Sequence, residues 1–194
     1  MAKYYPINLA LENKRCLVIG AGKVAERKTR RLLEYGACVS VVGQAITPGL
    51  KALWKKKVIV FKKRRFGLSD LSGAYLVIAA TTDRKVNSAV SSYCLKNGIL
   101  INVVDSPKEC SFILPSVVRK GDLTISISTD GISPALARKI RMDLERRFGT
   151  GYAGFLRVMK KLRPQVLKNI KDAKSRKAFF KKSLKNWSIL KNAA

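Results

Sequence analysis

A glycine-rich turn, a pair of threonines and an aspartate each directly follow a short apolar run in this sequence. The turn is Gly20-Ala-Gly22-Lys-Val-Ala25, the pair is Thr81 and Thr82, and the aspartate is Asp105. In such a turn the first glycine permits a sharp change of direction, and the second lets a pyrophosphate approach the backbone. The helix that follows directs its N–H groups at the anion. These residues predict a dinucleotide phosphate site.

The second apolar run ends without the acidic residue that commonly binds the ribose of such a cofactor. The chain reads Val42-Gly43-Gln44-Ala45 at this point. The amide oxygen of Gln44 is able to accept the ribose hydrogen bond instead. No Arg follows immediately to pair with a 2′-phosphate, so the sequence favours NAD over NADP. Thr81 and Thr82 are expected to contact the same cofactor, with a plain turn before a capping aspartate as the alternative.

Asp105 is the best candidate for a proton acceptor. The 194 residues include no histidine, which excludes Ser-His-Asp and Cys-His catalysis and HExxH zinc sites. Asp105 ends a strand on the edge where the nicotinamide of a bound dinucleotide would lie, with an ordinary turn-capping role as the alternative. The four cysteines lack CxxC spacing, and no metal site is predicted. Cys16 and Cys38 fall in apolar runs and are expected to be buried.

Alternating strand and helix patterns position these residues. Apolar runs predict strands at 15–19, 38–42, 58–61, 75–80 and 100–104, and amphipathic or capped segments predict helices at 23–35, 47–54 and 83–97. Apolar strands separated by helices are typical of a parallel sheet that is covered on both faces. We therefore predict an α/β fold with a Rossmann-like NAD-binding domain over residues 1–114.

The pattern changes after residue 114. Runs at 115–120 and 123–129 predict a hairpin with a tight turn at Gly121-Asp122, and Ser133-Pro134 begins a helix that extends to Phe148. Two strands alone leave unpaired edges that a second copy can cover, so residues 115–148 are predicted to be a dimerisation segment of a homodimer. Residues 149–194 are predicted to form a small basic helical module, broken at Pro164.

The charge predicts attraction to polyanions. The net charge is +28, and residues 151–194 carry 13 Lys and Arg against one acidic residue. Nucleic acid, a polycarboxylate and a phosphorylated small molecule are candidates, beside a purely solubilising surface. The basic tail has little aromatic interleaving, so no dedicated nucleic-acid partner is expected. Residues 62–65, Lys-Lys-Arg-Arg, are expected to be a solvated run.

No apolar run reaches the roughly 18 residues that a membrane span requires, and the first residues lack the apolar stretch of a signal peptide. We therefore expect no membrane association. Cysteines without a disulfide framework fit a reducing compartment, and the expected location is the cytoplasm.

Several motifs in order resemble the precorrin-2 dehydrogenase family, the dehydrogenase/ferrochelatase module of siroheme synthase. They are YPINLALENKRCLVIGAGKVAERK, ATTDRKVN and NVVDSPKECSFILPSVVRKGDLTISISTDGISPALARKIR. The resemblance implies a Rossmann domain, a dimerisation hairpin and a small helical module. The implied reaction is NAD-dependent oxidation of precorrin-2 to sirohydrochlorin. In part of the family Fe²⁺ insertion follows to give siroheme, and whether it does so here stays open.

The resemblance also implies roles for single residues. Asp105 matches the family's catalytic aspartate, and its cofactor contacts match Lys23, Val24, Gln44 and Ala45. The family's substrate-binding stretch before the Gly-x-Ser-Pro helix start matches Ser128, Thr129 and Ser133. Because the substrate is a polycarboxylate, four basic residues near the hairpin are candidate clamps, with a solvated surface as the alternative: Arg119, Lys120, Arg138 and Arg141.

Two other classes of function stay open at this stage. One is a non-catalytic regulator that binds the dinucleotide or a tetrapyrrole on the same fold. Asp105 argues against it, because a sensor needs no proton acceptor. The other, less favoured, is a nucleic-acid binder, whose binding constant would fall steeply with salt.

Overall fold

The computed structural model describes residues 4–192 of the chain. These residues form two compact units, one that ends at Leu114 and one that begins at Pro115. No helix within the described range is both long enough and apolar enough to cross a membrane.

The first unit is a five-stranded parallel sheet with helices between its strands. The strands are β1 (Arg15–Ile19), β2 (Cys38–Val42), β3 (Val60–Lys62), β4 (Leu76–Ala79) and β5 (Leu100–Val103). The helices are α1 (Lys23–Glu34), α2 (Pro48–Lys55) and α3 (Arg84–Lys96), and short 3₁₀ turns lie at Leu68–Leu71 and Pro107–Glu109. The strand order is β3-β2-β1-β4-β5, which confirms the predicted Rossmann-like α/β fold.

Apolar side chains cover both faces of this sheet. Along β1, Cys16 and Val18 belong to one core cluster, whereas Leu17 and Ile19 belong to a second cluster on the opposite face. This division explains why β1 reads as a continuous apolar run rather than an alternating one. The expectation that Cys38 is buried is wrong, because Cys38 is exposed. It is the first residue of β2, ahead of the part of the strand that the helices cover.

The second unit combines a hairpin with three helices. Strands β6 (Ser116–Lys120) and β7 (Leu123–Ile127) are antiparallel, and α4 (Pro134–Arg147), α5 (Thr150–Asn169) and α6 (Ala173–Asn192) follow. Aromatic rings join α5 to α6: Trp187 lies with its ring centroid 4.7 Å from that of Tyr152 and 4.8 Å from that of Phe155.

The expected break at Pro164 is wrong, because α5 continues through this residue. A proline inside a helix costs about 3 kcal/mol, since it removes one backbone hydrogen bond and crowds the preceding turn. Contacts between α5 and α6 oppose this cost. Next to the proline, the guanidinium of Arg163 lies 5.5 Å from the ring centroid of Phe180 on α6.

Candidate dinucleotide site

Four parallel strands of the first unit end at the same level. Ile19 of β1 is in register with Val42 of β2 and with Ala79 of β4, and Ala79 is in register with Val103 of β5. The residues that follow these ends therefore lie side by side along one edge of the sheet. Three strand spacings give this row a length of roughly 14 Å. Successive strands are added outward in one direction from β1 to β3 and in the other direction from β4 to β5, and ligands of such sheets bind at this switch point between β1 and β4.

Gly20 and Gly22 have different structural reasons for being glycine. Gly20 has a φ of +103°, and a Cβ atom on it would lie 2.4 Å from the carbonyl oxygen of Ala80, so the fold itself requires glycine there. Gly22 is the N-cap of α1, and a Cβ atom on it would meet nothing within 4 Å. Because glycine has no side chain, there is open space beside Gly22 at the N-terminus of α1. This arrangement fits the phosphates of a dinucleotide.

The segment between β2 and α2 lies beside the glycine turn. The Thr47 amide donates a hydrogen bond of 3.3 Å to the carbonyl oxygen of Ala21. Four candidate cofactor contacts lie in these two pieces of chain: Lys23, Gln44 and Ala45 are exposed, and Val24 is half-buried. The structure therefore brings together the residues expected to hold the cofactor on this side.

The threonines after β4 differ in their surroundings. The Thr81 hydroxyl hydrogen-bonds with the side chain of Asn87 on α3, whereas Thr82 is exposed. Asp83 accepts hydrogen bonds from the backbone amides of Lys85 and Val86, which confirms it as the N-cap of α3. Asn87, which the sequence analysis missed, fixes Thr81 at the end of β4. Its signal was a polar residue one turn into α3, on the side of the helix that also carries Val90 and Cys94.

Asp105 is presented at the end of β5. It is exposed and has a φ of +59°, a left-handed conformation that Asp tolerates better than most residues. The segment that follows covers the outer edge of β5: the Ser111 hydroxyl accepts a 2.9 Å hydrogen bond from the Ile101 amide. The Cys110 sulfur accepts one of 3.1 Å from the Val103 amide. These bonds replace a sixth strand and hold the strand end that carries Asp105.

Lys28 is a charged neighbour of Asp105 that the sequence analysis missed. It is half-buried on the same side of α1 as the buried Ala25 and Leu32. Burial lowers the pKa of the Lys28 ammonium and Arg27 lowers it further, whereas the negative charge of Asp105 opposes both effects. The helix that follows the glycine turn thus supplies a cation that interacts electrostatically with Asp105. A lysine on the inner face of an amphipathic helix was the signal in the sequence.

The expected substrate residues lie in the second unit. Three of them share the loop between β7 and α4, where the Thr129 hydroxyl accepts a 3.1 Å hydrogen bond from the Ser133 amide. The Ser133 hydroxyl accepts one of 3.3 Å from the Leu136 amide and so caps α4. The Asp130 amide donates one of 3.1 Å to the Ser128 hydroxyl. The structure therefore places these three hydroxyls in one ordered turn.

The four candidate clamps are spread over two elements of this unit. Arg119 and Lys120 end β6, the former exposed and the latter half-buried. Arg138 and Arg141 are on α4, and Arg141 forms an ion pair of 2.5 Å with Glu145. Part of the charge of Arg141 is therefore already neutralised within the helix.

The interpretation of residues 62–65 as a solvated run is wrong for two of them. Lys62 and Arg64 contact the buried carboxylate of Asp70 at 2.9 and 2.5 Å. The hydrogen bond from Arg64 is the main reason that the pKa of Asp70 lies well below its usual range. The structural role of these cations was not recognised because Asp70 follows them in a short 3₁₀ turn, which has no helix or strand periodicity. In the described part of the chain, no three His, Cys, Asp or Glu side chains cluster to hold a metal ion.

Comparisons with known proteins match both units. Residues 7–116 match a family model described as "Putative NAD(P)-binding", and residues 120–147 match one described as the central part of a sirohaem biosynthesis protein. The chain is 38% identical over 197 residues to siroheme synthase 2 of Cronobacter sakazakii, an alignment that covers 98% of this chain and 42% of that protein. It is 35% identical over 181 residues to siroheme synthase of Methylococcus capsulatus, covering 93% and 38%. The chain thus spans about two fifths of these relatives.

A solved structure has a similar fold over nearly its whole length. It is SirC, a precorrin-2 dehydrogenase, with a TM-score of 0.76, 28% identity, and coverage of 90% of this chain and 86% of that one. The fold and the glycine turn define a Rossmann-type domain for a nicotinamide dinucleotide. The chain belongs to the NAD(P)-binding family matched over residues 7–116, and its resemblance to the precorrin-2 dehydrogenase module of siroheme synthases is confirmed.

Proposed function

We propose that this protein oxidises precorrin-2 to sirohydrochlorin with NAD in siroheme biosynthesis. The observation that carries the proposal is the position of Asp105. A carboxylate ends β5 on the same edge of the sheet as the glycine turn that follows β1. The choice of precorrin-2 as the proposed substrate is based on the similarity to siroheme synthases and to the precorrin-2 dehydrogenase SirC.

The reaction removes one hydride and one proton from the substrate. NAD, when bound, accepts the hydride. Asp105 accepts the proton, and the same carboxylate serves for the pyrrole N–H protons that metal insertion releases. The half-buried ammonium of Lys28 on α1 is an electrostatic neighbour of the Asp105 carboxylate. The left-handed backbone at Asp105 and the hydrogen bonds that cover β5 hold this base on a fixed strand end.

NAD rather than NADP is the proposed cofactor. Gln44 follows β2 where a ribose would lie, and no cation follows it directly. β3 lies beside β2 and ends in Lys62, so its basic residues are the next candidates for a 2′-phosphate. Lys62 and Arg64 are both engaged by Asp70, which reduces their availability.

The second unit is proposed to hold the polycarboxylate substrate and to form the dimer. Hydroxyls of the turn before α4 and the basic residues of β6 and α4 supply donors for carboxylates: Ser128, Thr129, Ser133, Arg119, Lys120, Arg138 and Arg141. Residues 115–148 also expose apolar side chains such as Ile132 at 73% and Leu136 at 49%, which a second copy of the chain would cover. All four cysteines are free, in keeping with a cytoplasmic enzyme.

An anaerobic absorbance assay with freshly generated precorrin-2 tests the proposal. We expect sirohydrochlorin to form when NAD is added and NADP to be a poorer oxidant. Fe²⁺ added afterwards tests for chelatase activity, since accelerated formation of siroheme would assign the second step to this chain. Binding of both NAD and the tetrapyrrole without turnover would contradict the enzyme and favour the regulator. Light scattering on the same sample checks the dimer.

A further inference from the structure

The carboxylate of Glu26 joins the two pieces of chain that flank the candidate cofactor site. Glu26 lies in the first turn of α1, directly after the glycine turn. Its Oε2 atom accepts a hydrogen bond of 2.6 Å from the Thr47 hydroxyl at the other end of the β2–α2 segment. Its Oε1 atom accepts two from Arg30, of 3.0 and 2.8 Å. All three bonds involve an ionised group, which makes them stronger than neutral ones.

The fit around this carboxylate is close. A Cβ atom on Gly49 would lie 1.8 Å from Oε1 of Glu26, so a larger residue at position 49 would displace the carboxylate. The Thr47 hydroxyl also accepts a 3.3 Å hydrogen bond from the Leu50 amide, which makes Thr47 the N-cap of α2. The bond from Thr47, followed by those from Arg30, lowers the pKa of Glu26, and the carboxylate is therefore ionised at neutral pH.

We propose that Glu26 is a positioning residue for the dinucleotide: through Thr47 it fixes residues 43–47 beside the N-terminus of α1. Gln44 and Ala45 lie within this segment, and they are exposed, so their own packing does not hold them. Glu26 does not contact the cofactor in this proposal. Because Glu26 already fixes the segment in the free protein, the segment loses less conformational entropy when the dinucleotide binds. The inference rests on the dinucleotide site of the proposed function.

Calorimetric titration of the purified protein with NAD, without precorrin-2, tests the inference. Glu26→Ala is expected to raise the Kd for NAD about tenfold, the effect of losing one charge-assisted hydrogen bond. Glu34→Ala is the matched control, since Glu34 is an exposed carboxylate on the same helix and pairs with Arg31 at 3.1 Å. Its Kd is expected to equal that of the wild type. Hydrogen exchange at residues 43–47 is expected to accelerate in Glu26→Ala alone.

Substitutions of Thr47 separate positioning from helix capping. Thr47→Ser keeps the donor and the cap and is expected to bind NAD as the wild type does. Thr47→Asp keeps a good N-cap but places a negative charge against Glu26, so we expect a Kd at least as high as in Glu26→Ala. Combining Glu26→Ala with Thr47→Val is expected to raise the Kd for NAD no more than the larger single effect, because both variants remove the bond between Thr47 and Glu26; Thr47→Val also removes the cap bond from the Leu50 amide. Thr47→Asp also covers the case in which Glu26→Ala does not fold.

The outcomes distinguish this inference from the proposed function. A wild-type Kd in Glu26→Ala or in Thr47→Asp overturns the inference and leaves the enzyme intact. Additive effects of Glu26→Ala and Thr47→Val also overturn it, because the two residues would then act separately. A wild-type protein that binds neither NAD nor NADP overturns both proposals. If the enzyme is active, the KM for NAD is expected to rise in Glu26→Ala while kcat at saturating NAD stays unchanged.

Discussion

The Thr81 hydroxyl donates a hydrogen bond of 2.8 Å to Oδ1 of Asn87, and the Asn87 amide nitrogen donates one of 3.0 Å to the Thr81 carbonyl oxygen. Asn87 is only 3% exposed. This reciprocal pair joins the end of β4 to α3. Asn87→Ala removes both bonds, and although the Thr81 hydroxyl keeps the Asp83 carbonyl oxygen at 3.0 Å as an acceptor, the Thr81 carbonyl oxygen loses its Asn87 donor, so we expect a loss of about 1–3 kcal/mol in the free energy of unfolding. Urea denaturation measures it.

A matched control for this substitution lies at the C-terminal end of the same helix. The exposed Asn97 amide donates a hydrogen bond of 2.8 Å to the Tyr93 carbonyl oxygen. Asn97→Ala is expected to change the free energy of unfolding by no more than about 0.5 kcal/mol. Equal losses in Asn87→Ala and Asn97→Ala would show that the buried pair has no special importance.

The two glycines of the turn are expected to respond differently to alanine. Gly20→Ala drives a Cβ atom into the backbone of Ala80 at a positive φ, and should cost at least about 3 kcal/mol in the free energy of unfolding. Gly22→Ala meets no atom of the chain, so it should fold normally and raise the Kd for NAD by about tenfold or more.

Gly149→Ala controls for the loss of a helix N-cap glycine. Gly149 caps α5 as Gly22 caps α1, and a Cβ atom there also has open space. Its substitution should change stability as Gly22→Ala does and leave NAD binding untouched. If Gly22→Ala binds NAD with the wild-type Kd, the phosphates do not lie against Gly22.

Asp105→Asn tests the proposed base. Asn accepts the left-handed backbone at this position as readily as Asp does, so the fold should be retained. We expect kcat for precorrin-2 oxidation to fall by about 10²–10⁴-fold, while the Kd for NAD stays within about twofold of the wild type. Stopped-flow absorbance under anaerobic conditions measures the rate.

Asp122→Asn is the control for Asp105→Asn. Asp122 lies at the exposed hairpin turn, and its variant should be as active as the wild type. An unchanged kcat in Asp105→Asn would show that Asp105 is not the base.

The ion cluster around Asp70 predicts a pH dependence of stability. Because folding lowers the pKa of Asp70, its ionised form stabilises the native state above the ordinary carboxyl pKa of 3.8, and this contribution is lost as the pH falls below it. Asp70→Asn should therefore lose about 2 kcal/mol in the free energy of unfolding at pH 7, and this loss should shrink progressively as the pH falls from 3.8 towards the lower pKa that Asp70 has in the folded protein. Denaturation at several pH values measures the difference.

Asp143→Asn serves as the surface comparison for Asp70→Asn. Asp143 pairs with Arg146 on the outside of α4, where both side chains are at least half exposed. Its loss should cost no more than about 0.5 kcal/mol at any pH. A pH-independent effect of Asp70→Asn would mean that the native state does not favour its ionised form.

Much of this architecture follows from the order of residue types in the chain. The strands of the parallel sheet consist mainly of apolar residues. Thr47, Asp83 and Ser133 mark the starts of the helices that they cap. Such local patterns are visible because burial on both faces of the sheet and the unpaired N–H groups at helix starts restrict the residue types.

What the sequence did not reveal depends on contacts between distant segments. The partners of Asp70 and Thr47, and the Lys28 side chain near Asp105, come together only when strands and helices pack. The prediction of a helix break at Pro164 is wrong for the opposite reason: the local preference of proline is outweighed by the contacts of α5 with α6. Charge alone also misled the interpretation of Lys62 and Arg64, since a run of cations does not disclose a buried anion.

The four thiols give this protein an intrinsic labelling site. Burial raises the pKa of Cys16 and of Cys94 to about 11, and it also raises the pKa of Cys110. Cys38 is the exposed one, and as the first residue of β2 it stands at the end of the strand away from the glycine turn. A maleimide fluorophore at neutral pH would therefore attach there first, because the thiolate is the reacting form. The natural sequence thus offers a spectroscopic probe at a distance from the cofactor edge without any engineered cysteine.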